Sequence, residues 1–517
     1  MPRNFPIKDT LPWLAALASG VLYFLGYAGF DHFYLEWFSL VPLLWAIRGQ
    51  RPGRAFLMGW AAGITAHAGG FYWVTWMFRE FAGASWLPSC LGLFALAALN
   101  GMVFALWACG VRLIAGNSDR NLLWVCPVVW TAVEKLWPEV FPNYLGASQY
   151  QLAHLTQIAD LTGILGVSFL VVFINTTVFT VIGHLHAERR FPWRQGALCA
   201  TVLLAVLAYG EFRIRAVDRQ AAAADKLTIG LIQTNRGAGD KRSDFGSLLL
   251  EHQEMSRTLA ANRPLDLVVW PESVCGMELD SRDGQLPPGV LDGLQIPVLF
   301  GSVLRLWQGE TPRLYNSAVL ADSTGAILGT YDKMVLVPFG EYIPCGETFP
   351  QLYSWLPATG RFRPGENVEP LQFHGHYISV NICYEDIFPG QIRSLMEGGR
   401  AHRIPEAMFN LTNDSWYGKS VEPMEHLALA SFRAIEHRRP LVRATNTGIS
   451  AFVDPVGRLA MRSGLWTREV LVDRVPMMQG RTVYARLGDW LGWLCVCFAG
   501  FGIVRAIMTS RHPATVS

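Results

Sequence analysis

"HYISVNICYEDIFP", residues 376–389, decides how this chain is read. An apolar run from Tyr377 to Ile382 ends on Cys383, and Tyr384, Glu385 and Asp386 follow at once. Apolar runs without strict alternation fit strands buried on both faces. Sheets of mixed α/β domains carry their chemistry at strand ends. The local setting nevertheless disfavours the thiol, because nearby acids raise a cysteine pKa. Cys383 is either a packed core thiol or a nucleophile activated from elsewhere in the chain.

Working outward, similar runs recur at 226–235, 265–270, 297–303, 313–322, 326–337, 407–414, 441–454 and 469–475. Two stretches with helical periodicity interleave with them, 244–261 and 422–439. Strands that alternate with helices predict a layered α/β domain. Three strand ends carry residues that strands normally avoid. Glu272 follows Trp270-Pro271, Lys333 follows Tyr331-Asp332, and Cys383 closes the opening stretch. Taken singly, a Glu after Trp-Pro reads as a helix-start residue, the Lys as a solvated turn residue and the Cys as packing. Converging at the strand ends, the three would form a nucleophilic site. The carboxylate acts as general base to the thiol, and the ammonium lowers the thiol pKa or steadies an oxyanion.

The rest of the chain is not soluble in character. Of 517 residues, 51% are hydrophobic and only 16% charged, against roughly 25% in ordinary soluble domains. Mean hydropathy is +0.24. A net charge of +2 without a basic cluster gives no footing for nucleic acid. Residues 1–210 and 487–507 are mostly apolar, whereas 211–486 read as a soluble domain. Eight candidate spans fall near 11–29, 33–47, 56–77, 86–111, 121–137, 160–183, 195–210 and 487–507. Arg3 and Lys8, Arg48, Arg51 and Arg54, Arg112 and Arg120, Arg189, Arg190 and Arg194, and Arg505 and Arg511 would then share one side. Only Arg79 and Lys135 fall in short loops on the other. The positive-inside rule places the soluble domain outside, in the periplasm of a bacterium. Trp73, Trp76, Trp86, Trp137, Trp193 and Trp490 read as interfacial anchors, and Glu134 with Lys135 as an interfacial ion pair.

Six of nine cysteines lie in apolar stretches, and no CxxC spacing suggests zinc. Cys275 and Cys345 could form a disulfide outside the cytoplasm. His426 and His437 lack a chelating spacing and read as helix-surface or core residues. No P-loop, GxSxG, HExxH or EF-hand pattern occurs.

"WPES" (270–273), "YDKMVLVPFGEYIP" (331–344) and "NICYEDIFP" (381–389) resemble the nitrilase superfamily, whose Glu-Lys-Cys triad has this chain order. "LTNDSWYG" (411–418), "RAIEHRRPLVRATNTGISAFVDPVG" (433–457) and the eight-span layout narrow the resemblance to the bacterial apolipoprotein N-acyltransferases. The resemblance implies an α-β-β-α sandwich inserted into a polytopic helical membrane protein, with seven spans in 1–210, a periplasmic catalytic domain in 211–486 and an eighth span in 487–517. It implies Glu272 as base, Lys333 as oxyanion or orienting residue and Cys383 as nucleophile. Supporting roles fall to Glu341, which would orient Lys333, to Tyr384, as a backbone donor shaping the acyl pocket, and to Glu385, holding the elbow. It further implies an inner-membrane monomer without a cofactor. A phospholipid, phosphatidylethanolamine by preference, would give its sn-1 acyl chain through a Cys383 thioester to the α-amine of a diacylglyceryl apolipoprotein. One departure stands out: the family's tryptophan is missing from "QTNRGAGDKRSDFG" (233–246), where either Phe245 stands in or the following helix is displaced. The Gly- and Pro-containing stretch 338–366 is expected to act as a lid, with 334–340 and 349–360 against acyl chains. The triad alone would also suit an amidase, but a soluble substrate needs no spans; a transporter or scaffold needs intramembrane charges lining a path, and the spans hold few.

Overall fold

Parallel pairing needs long crossovers and antiparallel pairing does not, and this chain uses both. The computed structural model describes residues 7–116, 121–189, 191–237, 245–308, 311–356 and 359–511. Arg3, Arg120, Arg190 and the loop centre 238–244 lie outside the described residues, as does the Phe245 side chain. The chain divides into two compact units, 215–485 and 1–214 with 486–517.

The first unit holds two sheets. One is built from β1 (Lys226–Gln233), β2 (Leu267–Val269), β3 (Cys275–Asp280), β4 (Val298–Gln308), β5 (Thr311–Ala321), β6 (Ile327–Asp332) and β13 (Glu469–Pro476). Its order is β13-β1-β2-β4-β5-β6, with β3 beside β4. The other runs β12-β11-β10-β9-β8-β7, from β7 (Leu371–Phe373), β8 (His376–Ile382), β9 (Ala407–Thr412), β10 (Leu441–Thr445), β11 (Ala451–Val453) and β12 (Leu459–Arg462). Helix Phe245–Asn262 packs on the first sheet, where Trp270 and Phe300 sit in a shared core with Ile232, Val268 and Val298. Trp270 is fully buried, so its indole N–H needs a partner. It donates to Ser256 Oγ at 2.9 Å and ties β2 to that helix. Helix Glu422–His437, buried along its length, covers the second sheet. The layers are α-β-β-α.

Several boundaries differ from the sequence reading. The run 326–337 stops as a strand at Asp332, and 441–454 is not one strand but β10 and β11, paired antiparallel. The strands β3, β7 and β12, of six, three and four residues, were not expected; β7 and β12 are too short to show a periodicity. Cys275 is buried on β3 and Cys345 is exposed, and both thiols are free, so the disulfide is not formed.

Four helices among the described residues are long and apolar enough to cross a membrane: Trp86–Ala115, Ile164–Ala187 and Trp490–Thr509 in the other unit, and Trp193–Ala223, which runs past its boundary at residue 214. Residues 33–47 are not one helix. A 3₁₀ turn, Phe33–Trp37, precedes a short helix, Val41–Ile47, with Pro42 in its first turn. The stretch 56–77 likewise splits into Pro52–Gly70 and Val74–Ala82. Lys135 pairs with Asp489 at 2.5 Å, not with Glu134. Glu134 instead accepts from the Trp130 indole and the Leu145 N–H.

Candidate active site

The loops after β2, β6 and β8 bring Glu272, Lys333 and Cys383 together. Each is almost fully buried. Pro271 keeps the chain extended past β2, and Ser273 then turns at a φ of 56°. The Lys333 N–H donates to the Asn316 carbonyl at 2.8 Å, so the β5–β6 pairing fixes its Cα. Its ammonium lies 3.5 Å from Glu272 Oε1 and 3.0 Å from a Glu341 carboxylate oxygen. Cys383 opens a 3₁₀ helix, Cys383–Ile387, directly after β8. Its φ of 56° is the left-handed region, which costs a non-glycine residue about 1–2 kcal/mol. Strain of this kind concentrates at functional sites, where surrounding structure holds it in place.

Burial pushes the Cys383 thiol well up, and the Glu272 carboxylate adds to this. Lys333 and a hydrogen bond with Thr412 work against it. Burial alone would lower Lys333, but Glu341, Glu272 and Cys383 reverse that and hold its ammonium well above the usual lysine range. The resting site is therefore a neutral thiol beside a cation and two acids. Such a set can deprotonate the thiol as it attacks, without maintaining a free thiolate.

The two acids after Cys383 are occupied by their own partners. Glu385 accepts four hydrogen bonds, from the Met334, Val335 and Ile382 N–H groups and the Tyr331 hydroxyl, at 2.7–2.9 Å. Burial brings its carboxyl up to about 7, against the pull of the three backbone donors and Lys333. Asp386 takes Arg443 at 3.0 Å and His426 at 2.7 Å. Arg443 also reaches Asp414 at 3.1 Å and Asn410 at 2.9 Å, and Asn410 donates to the Cys383 carbonyl at 2.8 Å. Asp414, Glu422 and His426 offer oxygens and a nitrogen close together, as a metal site would. The Arg443 guanidinium, 2.9 Å from His426 Nδ1, already supplies the positive charge there. The Tyr384 hydroxyl donates to the Leu336 carbonyl at 2.7 Å, and Lys333 Nζ sits 5.7 Å from its ring centroid.

Sequence reasoning missed Asn316. Its one amide group donates to both Glu272 and Glu341, at 2.7 Å each. It lies in the middle of β5, where its only sequence signal is a polar residue inside an apolar run. It also missed Arg443, Asn410 and Asp414, all fully buried.

A buried cysteine on a strand-end elbow, with a glutamate and a lysine from neighbouring strand ends, defines the carbon–nitrogen hydrolase class. Residues 228–483 match the carbon-nitrogen hydrolase family, and residues 19–177 match the apolipoprotein N-acyltransferase N-terminal domain. Among curated relatives, the apolipoprotein N-acyltransferase of Geobacter metallireducens is 32% identical over 98% of both chains. That of Azotobacter vinelandii is 33% identical over 95% of each, and that of Bradyrhizobium diazoefficiens 32% over 99% of each. The chain belongs to the apolipoprotein N-acyltransferase family. It is an acyltransferase of lipoprotein biosynthesis, associated with the membrane and acting on a lipoprotein acceptor.

Proposed function

We propose that the chain moves a fatty acyl group from a membrane phospholipid to the α-amine of a lipoprotein's N-terminal diacylglyceryl cysteine, through a thioester on Cys383. The observation that carries this reading is the buried cluster of Glu272, Lys333 and Cys383, with Cys383 held at a φ of 56°. Cys383 Sγ attacks the ester carbonyl while Glu272 takes its proton and returns it to the departing alkoxide. Lys333 and the Tyr384 N–H stabilise the oxyanion. Glu341 orients Lys333, and Glu385 holds the elbow through its four donors. The amine then attacks the thioester, with Glu272 again the base.

The donor in this reading is phosphatidylethanolamine and the transferred chain is from sn-1. The protein acts as a monomer in the bacterial inner membrane without a cofactor. Eight spans anchor it, and residues 211–486 face the periplasm. Residues 338–366, of which 357 and 358 lie outside the described residues, cover the site as a lid. Its base is pinned where Gly360 and Phe362 donate to the Gly340 and Glu341 carbonyls, while Phe339, Phe349 and Trp355 are exposed for acyl-chain contact. Membranes containing the protein are incubated with acyl-labelled phospholipid, and Cys383 peptides are analysed by mass spectrometry. Label on wild type and none on Cys383→Ala is expected. Equal label on Cys383→Ala would overturn the mechanism.

A further inference from the structure

The loops after β1 and β10 meet behind Glu272. Asn235 donates its N–H to the Asn446 carbonyl at 3.0 Å, and Asn446 Nδ2 donates to the Glu272 carbonyl at 3.1 Å. Asn235 turns at a φ of 62°, a conformation asparagine tolerates. Just before this junction Gln233 Oε1 accepts from the Thr445 and Ser450 hydroxyls, which locks the two strand ends side by side. At the junction itself four side-chain oxygens are shielded from solvent and lack a hydrogen-bond partner: Thr234 Oγ1, Asn235 Oδ1, Asn446 Oδ1 and Thr447 Oγ1. Asn446 and Thr447 are fully buried and Thr234 is 3% exposed. Native proteins rarely leave buried polar atoms unpaired, and four at one junction call for a ligand that pairs them.

Amide oxygens only accept, and hydroxyls can do so, so the complementary ligand carries several N–H groups. All four oxygens are also uncharged. A carboxylate would hold an amine as its ammonium, which has no lone pair, whereas neutral acceptors bind the amine without favouring the charged form. We infer that Thr234, Asn235, Asn446 and Thr447 form the subsite for the primary α-amine and first peptide N–H of the acceptor, an inference that rests on the acyl-transfer reading above. The neutral amine nitrogen bonds to the thioester carbonyl carbon, and one of its protons passes to Glu272. The carbon–sulfur bond breaks, and Glu272 returns that proton to the Cys383 sulfur. The amide product and free thiol balance the amine and thioester consumed.

The test separates the two half-reactions in the full chain in detergent, with labelled phosphatidylethanolamine as donor and a synthetic S-diacylglyceryl-cysteinyl peptide as acceptor. Thr234→Val with Thr447→Val removes both hydroxyls at constant shape, and Asn235→Gly removes the amide while keeping the backbone turn. Each variant is expected to acylate Cys383 within about twofold of wild type, while transfer to the peptide slows through a higher KM, about tenfold for Asn235→Gly, which loses one hydrogen bond, and about a hundredfold for the double threonine variant, which loses two. A merely structural role for the threonines predicts equal or higher thermal stability and unchanged transfer, which would overturn the subsite. An equal fall in both half-reactions would overturn it too, as damage to the base. Wild-type Cys383 that takes no acyl label would overturn the acyl-transfer reading and the subsite with it, whereas a labelled wild type with variants that transfer normally would overturn the subsite alone.

Discussion

Lys333 is held more closely by Glu341, at 3.0 Å, than by Glu272, at 3.5 Å. The tighter partner keeps the ammonium from collapsing onto the base. Glu341→Gln should let Lys333 move onto Glu272 and engage the carboxylate that must take the thiol proton. Acyl transfer is expected to fall about 100-fold, roughly the effect of losing one preorganised charge contact. Activity of Glu341→Gln within threefold of wild type would show that Glu341 does no orienting.

Asn316 joins the same two carboxylates through one amide. Asn316→Ala leaves two buried acceptors short of a donor, which costs about 1–3 kcal/mol for each unsatisfied group. A lower unfolding temperature and at least tenfold slower Cys383 acylation are expected, and an assay of labelled enzyme reads both from one preparation.

The Cys383 thiol is pushed upward by burial and Glu272. A raised thiol pKa means that the neutral form persists to higher pH. Alkylation of the resting enzyme by iodoacetamide should therefore keep rising with pH beyond the ordinary cysteine value of about 8.5, with no plateau there. Lys333→Met removes the opposing cation and should shift the profile further up. A plateau near neutral pH would mean a preformed thiolate.

Arg443 is fully buried between Asp386 and Asp414. Arg443→Met strands two carboxylates and should destabilise the fold by about 3–5 kcal/mol. Arg443→Lys restores the charge but not the fork, and should recover part of that loss in thermal unfolding.

Cys345 is exposed on residues 215–485. A membrane-impermeant maleimide should label it in spheroplasts and spare it in inverted vesicles. The opposite pattern would reverse the proposed orientation.

The convergence of Glu272, Lys333 and Cys383 was legible in the sequence because each ends or follows an apolar strand, and strand ends are where side chains can converge. The strand boundaries were less so. The run 326–337 reads as one strand, yet β6 stops at Asp332, one residue before Lys333, whose N–H still donates to the Asn316 carbonyl. Glu134 and Lys135 are adjacent in sequence and suggested a pair, yet the lysine reaches Asp489, more than 350 residues away.

By itself the sequence determined the family, the chain order of Glu272, Lys333 and Cys383 at strand ends, and the separation of an apolar helical part from an α/β part, because these follow from residue type and hydrophobic pattern. Only the tertiary structure decided how the acids beside Cys383 are kept from it. Glu385 is turned onto four donors from two segments, residues 331–335 and the end of β8, and Asp386 is neutralised by Arg443 and His426 from β10 and the covering helix. The same holds for Asn316, whose place between two carboxylates is set by the β4–β5–β6 register. A charge's effect on a thiol depends on distance and dielectric in three dimensions, and neighbours in sequence need not be neighbours in field.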